Sequence, residues 1–175
     1  LHASSSSCAD RRPPASSRAF VSPVVDSAIS SFVGSTNDSE LACLFSNCFP
    51  NTLDTTVNRK APNATFVITG DITAMWLRDA TNQVLPYLSY AASDAVLRQM
   101  LEGVVRMQTQ QVVADPFANA HYLIDSGMTT PNGNDDTSSP SPLCQASNGS
   151  LAYMGSRRKG MVPGIYERKY ELDSL

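Results

Sequence analysis

Ser93-Asp-Ala-Val-Leu-Arg-Gln-Met-Leu-Glu-Gly-Val-Val-Arg-Met-Gln-Thr-Gln-Gln-Val-Val113 decides the fold class. Val96, Leu97, Met100, Leu101, Val104 and Val105 recur at the three- and four-residue intervals of one helix face, and Ser93 reads as the N-cap. A half-buried strand would alternate instead. Working outward, residues 79–91 read as a further helix, with Pro86 near its first turns or at a kink. Thr65-Phe66-Val67-Ile68-Thr69 is short and β-branched, hence a strand closed by Gly70-Asp71. Ser22-Pro23 has the form of an N-cap followed by Pro at the first helical position. Val21, Val24, Val25, Ala28, Ile29 and Phe32 then mark an amphipathic helix. Another helix is expected from Ser39 to Asn47, with Leu41, Leu44, Phe45 and Cys48 on one face, ended by Phe49-Pro50. Residues 125–149 are rich in Gly, Pro, Asn and Ser and read as one long loop. Residues 1–21, with Ser4 to Ser7, Pro13 and Pro14, offer too little apolar surface to offset ordering entropy and are expected to be a disordered tail. The expectation is therefore a mainly α chain with long polar loops, one portion of a domain spanning 22–175.

Composition narrows the classes of function. The 175 residues carry a net charge of −3, and charged residues make up only 17% of them. With a pI near 5.2 and no Lys/Arg run longer than Arg157-Arg158-Lys159, the chain lacks the footprint of a nucleic-acid binder or of a protein drawn to anionic lipid. No stretch reaches the ~18 consecutive apolar residues that mark a membrane span. The chain starts at Leu1, and Leu172 and Leu175 stand at helical spacing with nothing to stop a helix, so the sequence reads as the N-terminal piece of something longer.

Cys8, Cys43, Cys48 and Cys144 form no C-x-x-C pair and have no His at zinc spacing. Three acceptor triplets begin at Asn37, Asn63 and Asn148, each in a turn-like context, and they favour a secretory-pathway or extracellular protein. In that setting a bridge involving Cys43 or Cys48 is expected. Four cysteines allow three full pairings, and the sequence does not select one.

Three short polar segments interrupt the helical frame. Gly70-Asp71-Ile72-Thr73-Ala74-Met75-Trp76-Leu77-Arg78-Asp79 places the chain's single Trp beside an Arg-Asp pair. Indole stacks on the C–H face of a sugar, while a guanidinium and a carboxylate suit vicinal hydroxyls. The competing reading makes Trp76 and Leu77 core and gives Arg78-Asp79 to capping of the next helix. Asp115-Pro116-Phe117-Ala118-Asn119-Ala120 offers Asp115 and Asn119 on a Pro-fixed turn, for hydroxyls or merely as a helix stop. In Tyr166-Glu167-Arg168-Lys169-Tyr170-Glu171-Leu172-Asp173 an extended backbone sets Glu167, Lys169, Glu171 and Asp173 on one side, a sugar-facing row or a solvated surface.

Taken in order, these blocks and Leu44-Phe45-x-x-Cys48-Phe49-Pro50-Asn51-Thr52-Leu53-Asp54-Thr55-Thr56 resemble glycoside hydrolase family 125 over roughly residues 24–175. The segment from Asn132 through Arg157 is similar to fungal members. The resemblance implies the leading, incomplete part of an (α/α)6 barrel. It also implies a metal-independent, inverting exo-α-mannosidase acting on α-1,6-linked mannose of an oligosaccharide or glycoprotein glycan, with no cofactor. On the matching positions it implies substrate contacts from Trp76, Arg78, Asp79, Asp115, Asn119, Glu167, Lys169 and Glu171. The family's acid lies in an Arg-Pro-Ser-Asp-Asp block and its base in a later Glu. Neither block occurs in this sequence, so no residue here is assigned as acid or base.

Other readings fit the same residues: a different (α/α)6 glycosidase, a non-catalytic carbohydrate-binding or degenerate protein, or a leading fragment without an independent fold. If the chain is a leading barrel fragment, the 94–113 helix should expose part of its apolar face, because barrel neighbours would supply the cover.

Overall fold

Two capping side chains start the two longest helices, and they are bonded to each other. Ser22 caps α1 (Pro23–Ser35), its Oγ accepting from Val25 N–H at 3.3 Å, with Pro23 at the first helical position. Asp94 precedes α4 (Ala95–Ala114), and its Oδ1 accepts from Val96 and Leu97 N–H at 3.0 and 2.9 Å. The Ser22 hydroxyl donates to Asp94 Oδ2 at 2.6 Å, so one pair of side chains ties together the N-termini of both helices. The cap of α4 is thus Asp94 rather than Ser93. Burial pushes the Asp94 carboxyl upward, but the Ser22 hydroxyl and the Leu97 and Val96 amides outweigh it, and the net shift is downward.

The structure is a computed structural model describing residues 8–61, 64–70, 74–114 and 120–121, and the strand backbones at 140–145, 151–153 and 165–167. After α1 come α2 (Ser39–Cys48), a π-helical turn (Thr52–Thr56), and an antiparallel pair, β1 (Val57–Ala61) and β2 (Ala64–Val67). Then follow β3 (Met75–Trp76), α3 (Leu77–Val84), a 3-10 helix (Leu85–Tyr90) opened by Pro86, and α4. Four short strands complete the described elements: β4 (Ala120–His121), β5 (Pro140–Gln145), β6 (Leu151–Tyr153) and β7 (Ile165–Glu167). The fold is mainly α, as expected. β5 is a strand inside the stretch 125–149 that was expected to be a loop, and it pairs with β6.

The core lies where α4 crosses β2. Leu97, Met100, Leu101 and Val104 meet Phe66, Val67, Val25, Leu53 and Tyr87 there. Gly103 permits the close approach, since a Cβ on it would stand 2.4 Å from Thr65 Oγ1. Phe32, Phe45, Phe49 and Tyr87 continue the core as a chain of rings, with Phe45 and Phe49 stacked at 4.6 Å. The buried Tyr87 hydroxyl donates to the Phe49 carbonyl, and burial pushes its phenol up to about 12. Of the six apolar residues expected to line α4, four are buried. Val96 and Val105 flank that face and are exposed, with Val112 and Val113 further along. In α2, Leu41 and Leu44 are also exposed, and Phe45 makes the inward contact.

The expectation of a disordered tail over 1–21 is overturned for residues 8–21. Cys8 is disulfide-bonded to Cys43 of α2, and Phe20 belongs to the core. Arg12 forms a fork on Asp54, with Nε at 2.7 Å and Nη2 at 3.1 Å, while its Nη1 reaches Asp26 at 2.8 Å. Asp54 is only 2% exposed, so this pair is a desolvated anchor. The Asp54 hydrogen bond is the main reason the Arg12 guanidinium titrates above its ordinary range. Residues 1–7 lie outside the described residues.

Candidate functional site

The backbone brings the three polar segments of the sequence onto one small sheet. β3 runs antiparallel to β4 with Trp76 opposite Ala120, and β4 runs antiparallel to β7 with Ala120 opposite Glu167. The strand order β3-β4-β7 therefore joins the Trp-Leu-Arg-Asp segment, the end of the Asp-Pro-Phe-Ala-Asn-Ala segment and the start of the Glu-Arg-Lys-Tyr-Glu segment. Met75 and Ala120 are buried, and the half-buried Trp76 ring packs on Ala74 and Ala120. Just before β3, the Thr69 N–H and hydroxyl both donate to the Ala74 carbonyl, at 3.2 and 3.3 Å.

Chain direction changes at Trp76, which ends β3 and is also the N-cap of α3, without a side-chain capping bond. Arg78 and Asp79 follow in the first turn. Arg78 donates to Asp79 Oδ1 from Nε at 3.2 Å and from Nη2 at 3.0 Å. The pair is well exposed, at 48% and 38% of the two side chains. An ion pair this exposed contributes little to stability, roughly 0–1 kcal/mol. With its carboxylate on Arg78, Asp79 does not act as the side-chain cap of α3, and its place in the first turn suits the positive helix end. Within four residues the segment carries an indole, a planar donor group and an acceptor, residue types that suit a sugar's C–H face and its vicinal hydroxyls.

Arg78 and Asp79 are in contact, Trp76 stands at the β3–α3 junction just before them, and the backbone of Glu167 joins this stretch through β4. Asp115, Asn119, Lys169 and Glu171 lie outside the described residues. Of the acceptor triplets, Asn37 sits exposed in the link between α1 and α2, and Asn63 and Asn148 lie outside the described residues. Among the described residues no three His, Cys, Asp or Glu side chains converge as a metal site would. Two glutamines of α4 escaped the sequence reading. Gln108 Nε2 donates to the Leu77 carbonyl at 2.8 Å, and Gln111 Nε2 approaches Met75 Sδ at 3.7 Å. Their spacing placed them on one face of the helix, but nothing in the sequence said that this face meets β3 and α3.

The family model described as metal-independent α-mannosidase (GH125) matches residues 38–175. The meiotically up-regulated gene 157 protein of Schizosaccharomyces pombe is 36% identical over 169 residues, covering 94% of this chain and 30% of that protein. A solved Streptococcus pneumoniae structure, from a family of metal-independent α-mannosidases and in non-productive complex with α-1,6-mannobiose, is 31% identical. It superposes with a TM-score of 0.62 over 89% of this chain and 32% of its own, and this chain resembles the corresponding part of that α/α barrel. The chain thus spans about a third of the length of the relatives it matches. By the family match over most of its length and by the agreement in fold, the chain belongs to glycoside hydrolase family 125, the metal-independent α-mannosidases.

Proposed function

We propose that this chain is the sugar-binding front section of an inverting exo-α-mannosidase that cleaves α-1,6-linked mannose. The observation that carries the reading is the β3-β4-β7 register, which joins three polar segments far apart in sequence. The α-1,6-mannobiose bound by the Streptococcus pneumoniae relative supports the linkage.

In this reading Trp76 walls the site, and Arg78 and Asp79 hold vicinal hydroxyls by charge-assisted bonds. Asp115 and Asn119 take further hydroxyls, and Glu167, Lys169 and Glu171 line the pocket. Inversion requires a carboxylic acid that protonates the leaving oxygen while a carboxylate base deprotonates the water attacking C1 from the opposite face. The two groups stand roughly 6.5–9.5 Å apart. The family's acid and base blocks do not occur in these 175 residues, so the chain by itself binds the disaccharide without cleaving it. Incubating it with α-1,6-mannobiose and assaying free mannose tests this. No mannose above a blank is expected, and turnover would overturn the division of labour.

The same reading places the protein in the secretory pathway, with glycans on Asn37, Asn63 and Asn148. The Cys8–Cys43 disulfide and the exposed Asn37 support it. Protein secreted from a eukaryotic host should shift in mass on treatment with a peptide-N-glycosidase, and an unshifted mass would count against the assignment.

A further inference from the structure

We propose that Gln108 and Gln111, three residues apart on α4, are positioning residues that fix the Met75–Asp79 stretch from behind and so set the geometry of Trp76 and Arg78. The inference rests on the reading of that stretch as a sugar site.

Four observations carry it. First, α3 begins without the side-chain cap that normally fastens a helix start, because Trp76 occupies the N-cap. Second, α4 holds the first turn of α3 at a carbonyl. Gln108 Nε2 donates to the Leu77 carbonyl at 2.8 Å and to Thr81 Oγ1 at 3.0 Å, while the Thr81 hydroxyl donates to the same Leu77 carbonyl at 2.9 Å. The Leu77 carbonyl belongs to the peptide that links Leu77 to Arg78, so this bond fixes the backbone directly before Arg78 and one residue after Trp76. Third, Gln111 is 7% exposed and reaches Met75 Sδ, the residue before Trp76. Fourth, the Gln111 Oε1 is buried and accepts no hydrogen bond among the described residues. An unmet buried acceptor is costly, roughly 1–3 kcal/mol, and an apolar residue of that size would fill the space without the cost. A polar amide at this buried position is accounted for if it orients the strand rather than merely filling the core.

Trp76 is the chain's only tryptophan, so its emission reports on this stretch alone. The test uses the 175-residue chain and its Gln108→Leu, Gln108→Glu and Gln111→Leu variants. Gln108→Glu preserves length and volume but removes the N–H donor, and it decides the matter if Gln108→Leu fails to fold. Each is followed by acrylamide quenching of Trp76, by thermal melting, and by titration with α-1,6-mannobiose. One net hydrogen bond corresponds to a factor of about 2–10 in an equilibrium. The Gln108 variants should therefore quench more readily and bind the disaccharide about 2–10-fold more weakly, with Gln111→Leu changing in the same direction. Unchanged quenching in folded Gln108→Glu would overturn the proposal, as would melting changes without a Trp76 response. Altered quenching in a chain that binds no mannobiose would uphold the clamp and reject the sugar reading.

Discussion

Replacing Arg12 by Leu should be among the most damaging single changes outside the apolar core. The guanidinium covers both oxygens of Asp54, at 2.7 and 3.1 Å, and Asp54 is 2% exposed. Removing one member of a buried pair leaves an uncompensated charge and typically costs about 3–5 kcal/mol. One feature of the structure reduces that figure, and another adds little to it. Arg18 stands nearby, with Nε 3.6 Å from Asp54 Oδ1, and offers partial replacement. The third contact, to Asp26, adds little because that carboxylate is 36% exposed, so its share is about 0–1 kcal/mol. The expected loss is therefore about 2–3 kcal/mol, read as a shift of the urea midpoint at constant slope or a fall in Tm of about 4–12 °C. In the double variant Arg12→Leu, Asp54→Leu the orphaned carboxylate is gone, and much of the loss should return. A loss below about 1 kcal/mol for Arg12→Leu, or a double variant no more stable than the single, would refute the desolvated anchor.

Three further outcomes follow from the packing. Gly103→Ala should destabilise although alanine is the better helix former by about 1 kcal/mol, because the new methyl meets Thr65 Oγ1 at 2.4 Å and its Cβ and backbone N at 3.1 Å; adding Thr65→Ala should recover part of the loss in a denaturant titration. Reducing the Cys8–Cys43 bridge, which closes a separation of 35 residues, should lower stability by about 3–4 kcal/mol, measured by melting with and without reductant. The Asp94 carboxyl titrates below its ordinary value of 3.8, so its stabilisation is full above that pH and is lost as pH falls through the lower folded value; wild type and Asp94→Ala should differ by about 1–2 kcal/mol at pH 6 and converge at acidic pH.

The helices were legible because their signals are local. Ser22-Pro23 announced α1, and the apolar spacing announced α4, with the cap misplaced by one residue because Ser93 and Asp94 are both good caps. What escaped depended on partners distant in sequence. Composition made residues 8–21 look like a tail, and only Asp26, Asp54 and Cys43 show why Arg12 and Cys8 are held. β1 was missed because Asn58 and Arg59 break the apolar pattern, and it is pairing with β2 that makes it a strand. At the candidate site, the Trp-Leu-Arg-Asp segment carries residue types that suit a sugar, and its local sequence fits a core-and-cap reading as well. Its union with the other two segments is a matter of strand register, and its support by Gln108 is a contact between helices; neither is written in local sequence.

The central claim, that Trp76, Arg78 and Asp79 bind an α-mannoside, is tested most directly by titrating α-1,6-mannobiose into the chain while following Trp76 emission. The account predicts a saturable change in the wild-type protein. In Arg78→Ala it should be weakened by about 1.5–3 kcal/mol, the worth of hydrogen bonds to a charged group, with the Tm almost unchanged because the Arg78–Asp79 pair is exposed. No response in the wild type, or an Arg78→Ala chain that binds normally but melts several degrees lower, would contradict it.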